Sequence, residues 1–380
     1  MHWKKAVTYM ETLIKKIDAE NMTSEDFAEA VAFLRGGQLV AFPTETVYGL
    51  GGDAFDPTAS ARIYAAKGRP SDNPLIVHIA DIAELAKLCE DVPEEAYALA
   101  EKFWPGPLTM IMKKADCIPK ETTGGLSTVA IRMPSHPIAR RLIQEAGLPI
   151  AAPSANASGR PSTTKAEHVI EDLDGRIEMI IDGGSSDIGL ESTIVDLTVK
   201  PVQILRPGYI TIEMLKEVIP DIVYDKAVLK RERNDSIVAR APGMKYRHYA
   251  PKGELVIFEG EPENVMNAVL KATEEKLSQG YIVGILASEE FAGDYVSRIS
   301  KNWPVLGAGV NGRGEPFALI EVVGSRDNEE TIAANLFDKL RDFDAKGIPY
   351  IFGECFPGDN LGAAIMNRLV KAAGYHIEKV

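Results

Sequence analysis

The sequence predicts an α/β protein of two units joined by a charged connector. Through residue 214, short apolar runs alternate with Gly- and Pro-rich turns and with helical stretches. From residue 216 to 253 that rhythm stops, and from Glu254 a strand, helix, strand pattern returns. The chain's 380 residues suffice for two or three domains, and a hydrophobic content of 45% can supply their cores.

Taken in order, strands are expected over Leu39–Phe42, Leu75–Ile79, Leu108–Met112, Thr128–Arg132, Pro149–Ala152, Glu178–Ile181, Thr193–Leu197 and Val202–Leu205. Between the first two, Asp56-Pro57 has the chemistry of a helix start, with a capping carboxylate and a proline in the first turn. Ala59–Ala66 continues that helix, Lys67 ends it, and Gly68 accepts the left-handed conformation a helix exit uses. The expected units are 1–215, a connector 216–253, and 254–380. The last opens with the strand Glu254–Phe258, the helix Glu263–Gln279 and the strand Tyr281–Leu286, and closes with the helix Gly362–Gly374. Within the connector, residues 225–250 carry seven Lys/Arg against three Asp/Glu. A solvated spacer is one reading. Met244, Tyr246, Tyr249 and Pro251 favour a segment with a task.

Composition narrows the function. A formal net charge of -13 argues against general attraction to nucleic acid, so any positive site should be local and specific. The longest apolar runs, Tyr281–Ala287 and Met179–Ile181, are far too short to cross a membrane. Glu11, Lys15, Lys16 and Asp18 break up the N-terminal stretch, so no signal peptide and a cytoplasmic address are expected. Cys89, Cys117 and Cys355 are far apart and odd in number, which speaks against a disulfide framework or zinc site. The six histidines have no metal-ligand spacing, and the expectation is no protein-held metal.

Candidate sites follow from cations in unusual places. Lys67-Gly-Arg69-Pro70 sets two of them at a helix exit, where Pro70 biases Arg69 toward extended backbone. A planar guanidinium beside a compact ammonium suits the oxygens of a polyphosphate. A lysine favoured by the helix dipole is the plainer reading. Arg132 ends the apolar strand Thr128–Arg132, so it must reach a sheet edge or meet a carboxylate. His78 sits in a similar strand and has a structural reading as well as a functional one. Pro149-Ile-Ala-Ala-Pro-Ser-Ala-Asn156 breaks at Pro153, and in an extended chain Ser154 and Asn156 face the same way. Ser162-Thr-Thr-Lys165 matches a nucleophile motif by letters, without its companions. Gly49-Leu-Gly-Gly-Asp-Ala54 and Gly307-Ala-Gly-Val-Asn-Gly312 imitate dinucleotide fingerprints but lack the strand-to-helix context, and no P-loop is present.

Together, Phe42-Pro-Thr-Glu-Thr-Val-Tyr-Gly-Leu-Gly51, Lys67-x-Arg69, Asn73-Pro74-Leu75, Ala130-Ile-Arg132-Met-Pro134 and Ser154-x-Asn156 resemble the YrdC-like threonylcarbamoyl-AMP synthases. Ala241-Pro-Gly-Met-Lys-Tyr-Arg-His-Tyr-Ala-Pro251 and Gly362-Ala-Ala-Ile-Met-Asn-Arg368 resemble the longer, two-domain form, so the likeness covers nearly the whole chain. The resemblance implies a twisted mixed sheet with helices in the catalytic domain and a smaller Rossmann-like α/β C-terminal domain. It implies the reaction of L-threonine, bicarbonate or carbon dioxide, and ATP to threonylcarbamoyladenylate and pyrophosphate, with Mg²⁺ accompanying ATP. The product would pass to a complex that modifies tRNA, without stable tRNA binding or a membrane. By matching positions, Lys67, Arg69, Ser154 and Asn156 would be catalytic. ATP would meet these four and Asn73, Thr128, Ser162, Arg206 and Arg247; threonine would meet Thr46, His78, Arg132, Ala152 and Ser192. Arg247, His248 and Tyr249 would form a lid. A non-catalytic RNA-binding protein and a carbamoyl-transfer protein of metal-centre maturation are the rival readings, and a nicotinamide dehydrogenase comes last.

Overall fold

The computed structural model describes residues 10–229, 239–244, 248–306 and 315–380. Gly307–Gly312 and Arg247 therefore lie outside the described residues. Eleven of the strands form one sheet: β1 (Leu13–Lys16), β2 (Val40–Phe42), β3 (Gly49–Asp53), β4 (Ile76–His78), β5 (Leu108–Lys113), β6 (Thr128–Arg132), β7 (Ile150–Ala151), β8 (Met179–Asp182), β9 (Thr193–Asp196), β10 (Gln203–Arg206) and β11 (Val223–Tyr224). Their order is β1-β8-β2-β3-β7-β4-β6-β5-β9-β10-β11. The sheet is mixed: β4 runs parallel to β6, while β3 and β4 both run antiparallel to β7.

Alternation along the strands divides the core into two layers. Leu39 and Ala41 pack into one cluster with Ile63, Leu75 and Val77, while Val40 and Phe42 face the other with Leu34, Ile138, Leu142 and Ile150. Three strands of this sheet were not visible in the sequence. β1 and β11 are sheet edges whose residues are mostly exposed, so they carry little of the apolar alternation that marks a strand. β3 hides in the glycine run. A Cβ on Gly51 would lie 2.7 Å from Ile150 Cγ2 and from Phe42 Cε1, so the glycine answers to close packing and not to a dinucleotide. Because β11 pairs with β10, the first sheet continues into the segment read as connector.

The second sheet contains β12 (Glu254–Glu259), β13 (Val283–Ser288), β14 (Val305–Leu306), β15 (Ala318–Gly324), β16 (Tyr350–Glu354) and β17 (Ile377–Lys379), in the order β14-β15-β13-β16-β12-β17. Every recorded pairing in it is parallel. The chain leaves β13 toward one edge and β16 toward the other, so the crevice between them is where such a fold offers a ligand site. Here the protein's own side chains fill that place. Arg326 Nη2 pairs with Glu354 Oε2 at 2.6 Å, and Ser288 Oγ donates to the same oxygen at 2.8 Å.

The units share a core. Val47, Leu190 and Tyr249 lie in one hydrophobic cluster with Leu336, Phe337, Leu340 and Ile365 of the second unit. Around it, Arg341 Nη2 pairs with Asp172 Oδ2 at 2.8 Å, and both side chains are almost wholly buried.

Candidate active site

The ends of several first-sheet strands meet the connector around one cleft. Its walls include Thr46, Lys67, Arg69, His78, Arg132, Ala152, Ser154, Asn156, Ser192, Arg206, His248 and Tyr249. Twelve of the sequence-derived site residues thus come together. Thr128, Asn73 and Ser162 do not line it. Thr128 starts β6, at the end away from Arg132. Asn73 is buried behind the loop, and the Ser162 hydroxyl is engaged by Glu191 Oε1.

The helix Pro57–Lys67 starts as expected, with Asp56 accepting from Thr58 N at 2.7 Å, and ends at Gly68 with φ 62°. Its last side chain turns inward. Lys67 is only 3% exposed, and its Nζ donates to the backbone carbonyls of Ser154 and Asn156, with Asn156 Oδ1 at 3.4 Å. Burial, and then the nearby Arg69, hold the ammonium pKa well below the usual lysine value. Arg69 Nη2 donates to Pro74 O at 3.1 Å, which braces the turn after the helix. Ser154 Oγ donates to Asn156 Oδ1 at 2.5 Å, although the chain bends at Ala155 and Asn156 and is not extended there.

Arg132 met the carboxylate its burial demanded, and it is Glu45. Nη2 lies 2.7 Å from Glu45 Oε1, both side chains are nearly buried, and Nη1 donates to Thr46 Oγ1 at 2.8 Å. Burial alone would raise the Glu45 carboxyl, but Arg132, together with backbone hydrogen bonds from Ser135 and from Glu45 itself, holds it below its ordinary value. The sequence reading missed Glu45, although it lies beside Thr46 in the quoted motif. A second polar set joins strands β9 and β10. Arg206 Nε donates to Ser192 O at 2.9 Å and Nη2 to Ser192 Oγ at 3.0 Å, while Ser192 Oγ lies 2.7 Å from Thr109 Oγ1. Burial brings Arg206 down to about 10. Glu191, also missed, lines the cleft and pairs with Arg368 of the second unit at 2.8 Å. Ala152 N donates to Ile76 O at 2.8 Å, so its backbone amide is already engaged.

His78 Nδ1 lies 3.1 Å from Ile76 O, and burial, followed by Arg132, lowers its pKa to about 3. A folded value below the ordinary 6.5 means that the unfolded chain takes up this proton first. His78 therefore subtracts stability as pH falls from about 6.5 toward about 3. The expected NMR result is a neutral imidazole across pH 5 to 8; titration inside that window would refute the assignment.

The connector closes one wall. Pro242, Gly243, His248 and Tyr249 border the cleft, and Tyr249 adopts φ 66°, a left-handed conformation that is rare for a bulky residue. Its ring packs on Phe337 at 5.2 Å and on the Arg368 guanidinium at 5.9 Å. Among the described residues no group of three or more His, Cys, Asp or Glu is placed to hold a metal ion, and no helix is long and apolar enough to cross a membrane.

Residues 32–208 match the Sua5, YciO and YrdC family, described as telomere recombination, and residues 210–374 match the C-terminal domain of threonylcarbamoyl-AMP synthase. The chain is 48% identical over 358 residues to the threonylcarbamoyl-AMP synthase of Bacillus subtilis, covering 94% of this chain and 95% of that protein. It is 46% identical over 351 residues to the Pyrococcus abyssi protein of the same name, covering 92% and 95%. The crystal structure of P. abyssi Sua5 complexed with L-threonine superposes with a TM-score of 0.84 at 45% identity, covering 97% of this chain and 100% of that one. With relatives this similar along nearly its whole length, the chain belongs to the threonylcarbamoyl-AMP synthase family.

Proposed function

We propose that the chain makes L-threonylcarbamoyladenylate from L-threonine, bicarbonate and ATP, releasing pyrophosphate and water. One observation carries this reading: Lys67, Arg69, Arg132 and Arg206 line a single cleft in a chain of net charge -13. Four cations gathered on the walls of one cleft, in a chain that is otherwise strongly acidic, suit an anionic ligand. Lys67 and Arg69, with Ser154 and Asn156, hold the ATP polyphosphate; Arg206, buried beside Ser192 in the same cleft, adds a further cation. Arg132, Thr46 and Ser192 receive the amino acid. The likeness to a protein crystallised with L-threonine supports an amino-acid site in this chain.

In the reaction, the threonine amine attacks the carbon of bicarbonate to form a carbamate; the C–OH bond breaks and the hydroxyl leaves as water with a proton from the amine. Where bicarbonate has first lost that water to give carbon dioxide, the amine adds to its carbon and releases a proton. A carbamate oxygen then attacks the α-phosphorus in line, the bond to the bridging oxygen breaks, and pyrophosphate leaves. The protein orients the two anions and offsets the charge that moves onto pyrophosphate. Mg²⁺ enters bound to the ATP phosphates. The connector, with His248 and Tyr249 already on the cleft wall, covers the adenylate against water. The product passes to an enzyme complex that transfers the threonylcarbamoyl group to tRNA in the cytoplasm.

The test is pyrophosphate release by the purified chain with ATP and Mg²⁺, omitting threonine or bicarbonate in turn and substituting serine. Release is expected only with both present, and faster with threonine than with serine. No release in any combination, with no ATP binding by calorimetry, would reject the synthase and reopen the RNA-binding reading.

A further inference from the structure

We propose that the helix Asn360–Ala372 of the second unit positions the first unit's cleft, with Arg368 as the positioning residue; this rests on the cleft being the synthase site. Arg368 is 0% exposed, an expensive placement for a guanidinium unless its donors are used. They are used on two neighbouring loops. Nη2 donates to Glu191 O at 3.1 Å and Nη1 to Pro207 O at 2.6 Å, while Nε donates to Glu191 Oε2 at 2.8 Å.

Those two carbonyls belong to the residues directly before Ser192 and directly after Arg206. One planar fork from the second unit thus pins the chain on both sides of the Ser192–Arg206 pair that lines the cleft. The loops have little slack: a Cβ on Gly208 would lie 2.5 Å from Thr193 N. Through its carboxylate, Glu191 carries the contact on to Ser162.

The same helix face also holds the connector. Lys371, three residues on from Arg368, donates from Nζ to Gly243 O at 2.9 Å, and the Tyr249 ring lies against Arg368. An apolar helix would dock the two units as well as this one does. What the buried cation adds is a fixed relation between three cleft walls, and so a catalytic task for the second unit.

The test uses the full-length chain with Arg368→Gln, Arg368→Lys and, as control, Asp338→Asn. Asp338 bridges the units by pairing with Lys165 at 2.8 Å, away from the cleft lining. Arg368→Gln is expected to lower kcat/KM for ATP by about tenfold to a hundredfold, because small displacements of binding groups are costly. Amide exchange over 192–194 should rise by about tenfold or more as these strand ends loosen. Arg368→Lys keeps a cation for Glu191 but cannot fork to both carbonyls, so partial rescue with residual fast exchange is expected, and it serves if the glutamine variant does not fold. Asp338→Asn should change neither readout. Unaltered exchange and kcat/KM in both Arg368 variants, or equal losses in Asp338→Asn, would overturn the proposal. Should the wild-type chain itself show no threonine-dependent pyrophosphate release, the functional reading fails, and the exchange rates alone decide whether Arg368 holds the loops.

Discussion

Lys67→Met is expected to lower threonine-dependent pyrophosphate release by about a thousandfold or more while the chain still folds, the scale lost when a preorganised donor facing developing charge is removed. Methionine keeps the stem of the side chain and loses all three donors. Two effects combine. The carbonyls of Ser154 and Asn156 lose the ammonium that gathers them, so the Ser154–Asn156 corner of the cleft loosens. The cation proposed to face the polyphosphate is also gone. In the free protein, burial and Arg69 weigh against the charged form of Lys67. A bound polyphosphate supplies the missing countercharge, so the ammonium counts for more in the complex than without ligand. The measurement is single-turnover pyrophosphate release alongside thermal denaturation. Turnover within about threefold of wild type would remove Lys67 from the site, since loss of a charge-assisted hydrogen bond alone exceeds that.

Arg132→Met separates stability from activity. Removing the guanidinium leaves Glu45 buried with its charge uncompensated, a loss of about 3–5 kcal/mol for a broken buried pair. The double variant Arg132→Met, Glu45→Gln removes both charges and should recover most of that stability. It should not recover turnover if, as proposed, Arg132 receives the threonine carboxylate. Denaturant titration of the three proteins, with threonine KM for each, tests both halves. An active double variant would show that Arg132 serves only the fold. The pair also fixes a pH sign. Glu45 is held below its ordinary 4.5 in the folded state, so its contribution is present above that value and is lost as pH falls through the lower folded pKa. In the double variant this part of the acid dependence should disappear.

Sequence patterns were sufficient wherever one strong local rule applied. Asp56-Pro57 and Gly68 marked both ends of a helix because capping, proline and left-handed glycine are local requirements. The strand Thr128–Arg132 was found to the residue, because an apolar β-branched run has few other homes. β3 was missed since its glycines are selected by Phe42 and Ile150, residues on separate strands. The cations of the site were conspicuous for a related reason: an arginine in an apolar strand contradicts its surroundings, and that contradiction is visible without coordinates.

Their partners were not visible. The sequence by itself determined two α/β units, the cations Lys67, Arg69, Arg132 and Arg206, and, through its motifs, the family. Only the tertiary structure decided that Glu45 answers Arg132, that Lys67 gathers the carbonyls of residues 154 and 156, and that Arg368 reaches Glu191 from 177 positions away along the chain. The reason is physical. Which residue is buried follows from its own chemistry and its near neighbours, whereas what compensates a buried charge depends on which distant backbone and side-chain groups the packed core brings within about 3 Å.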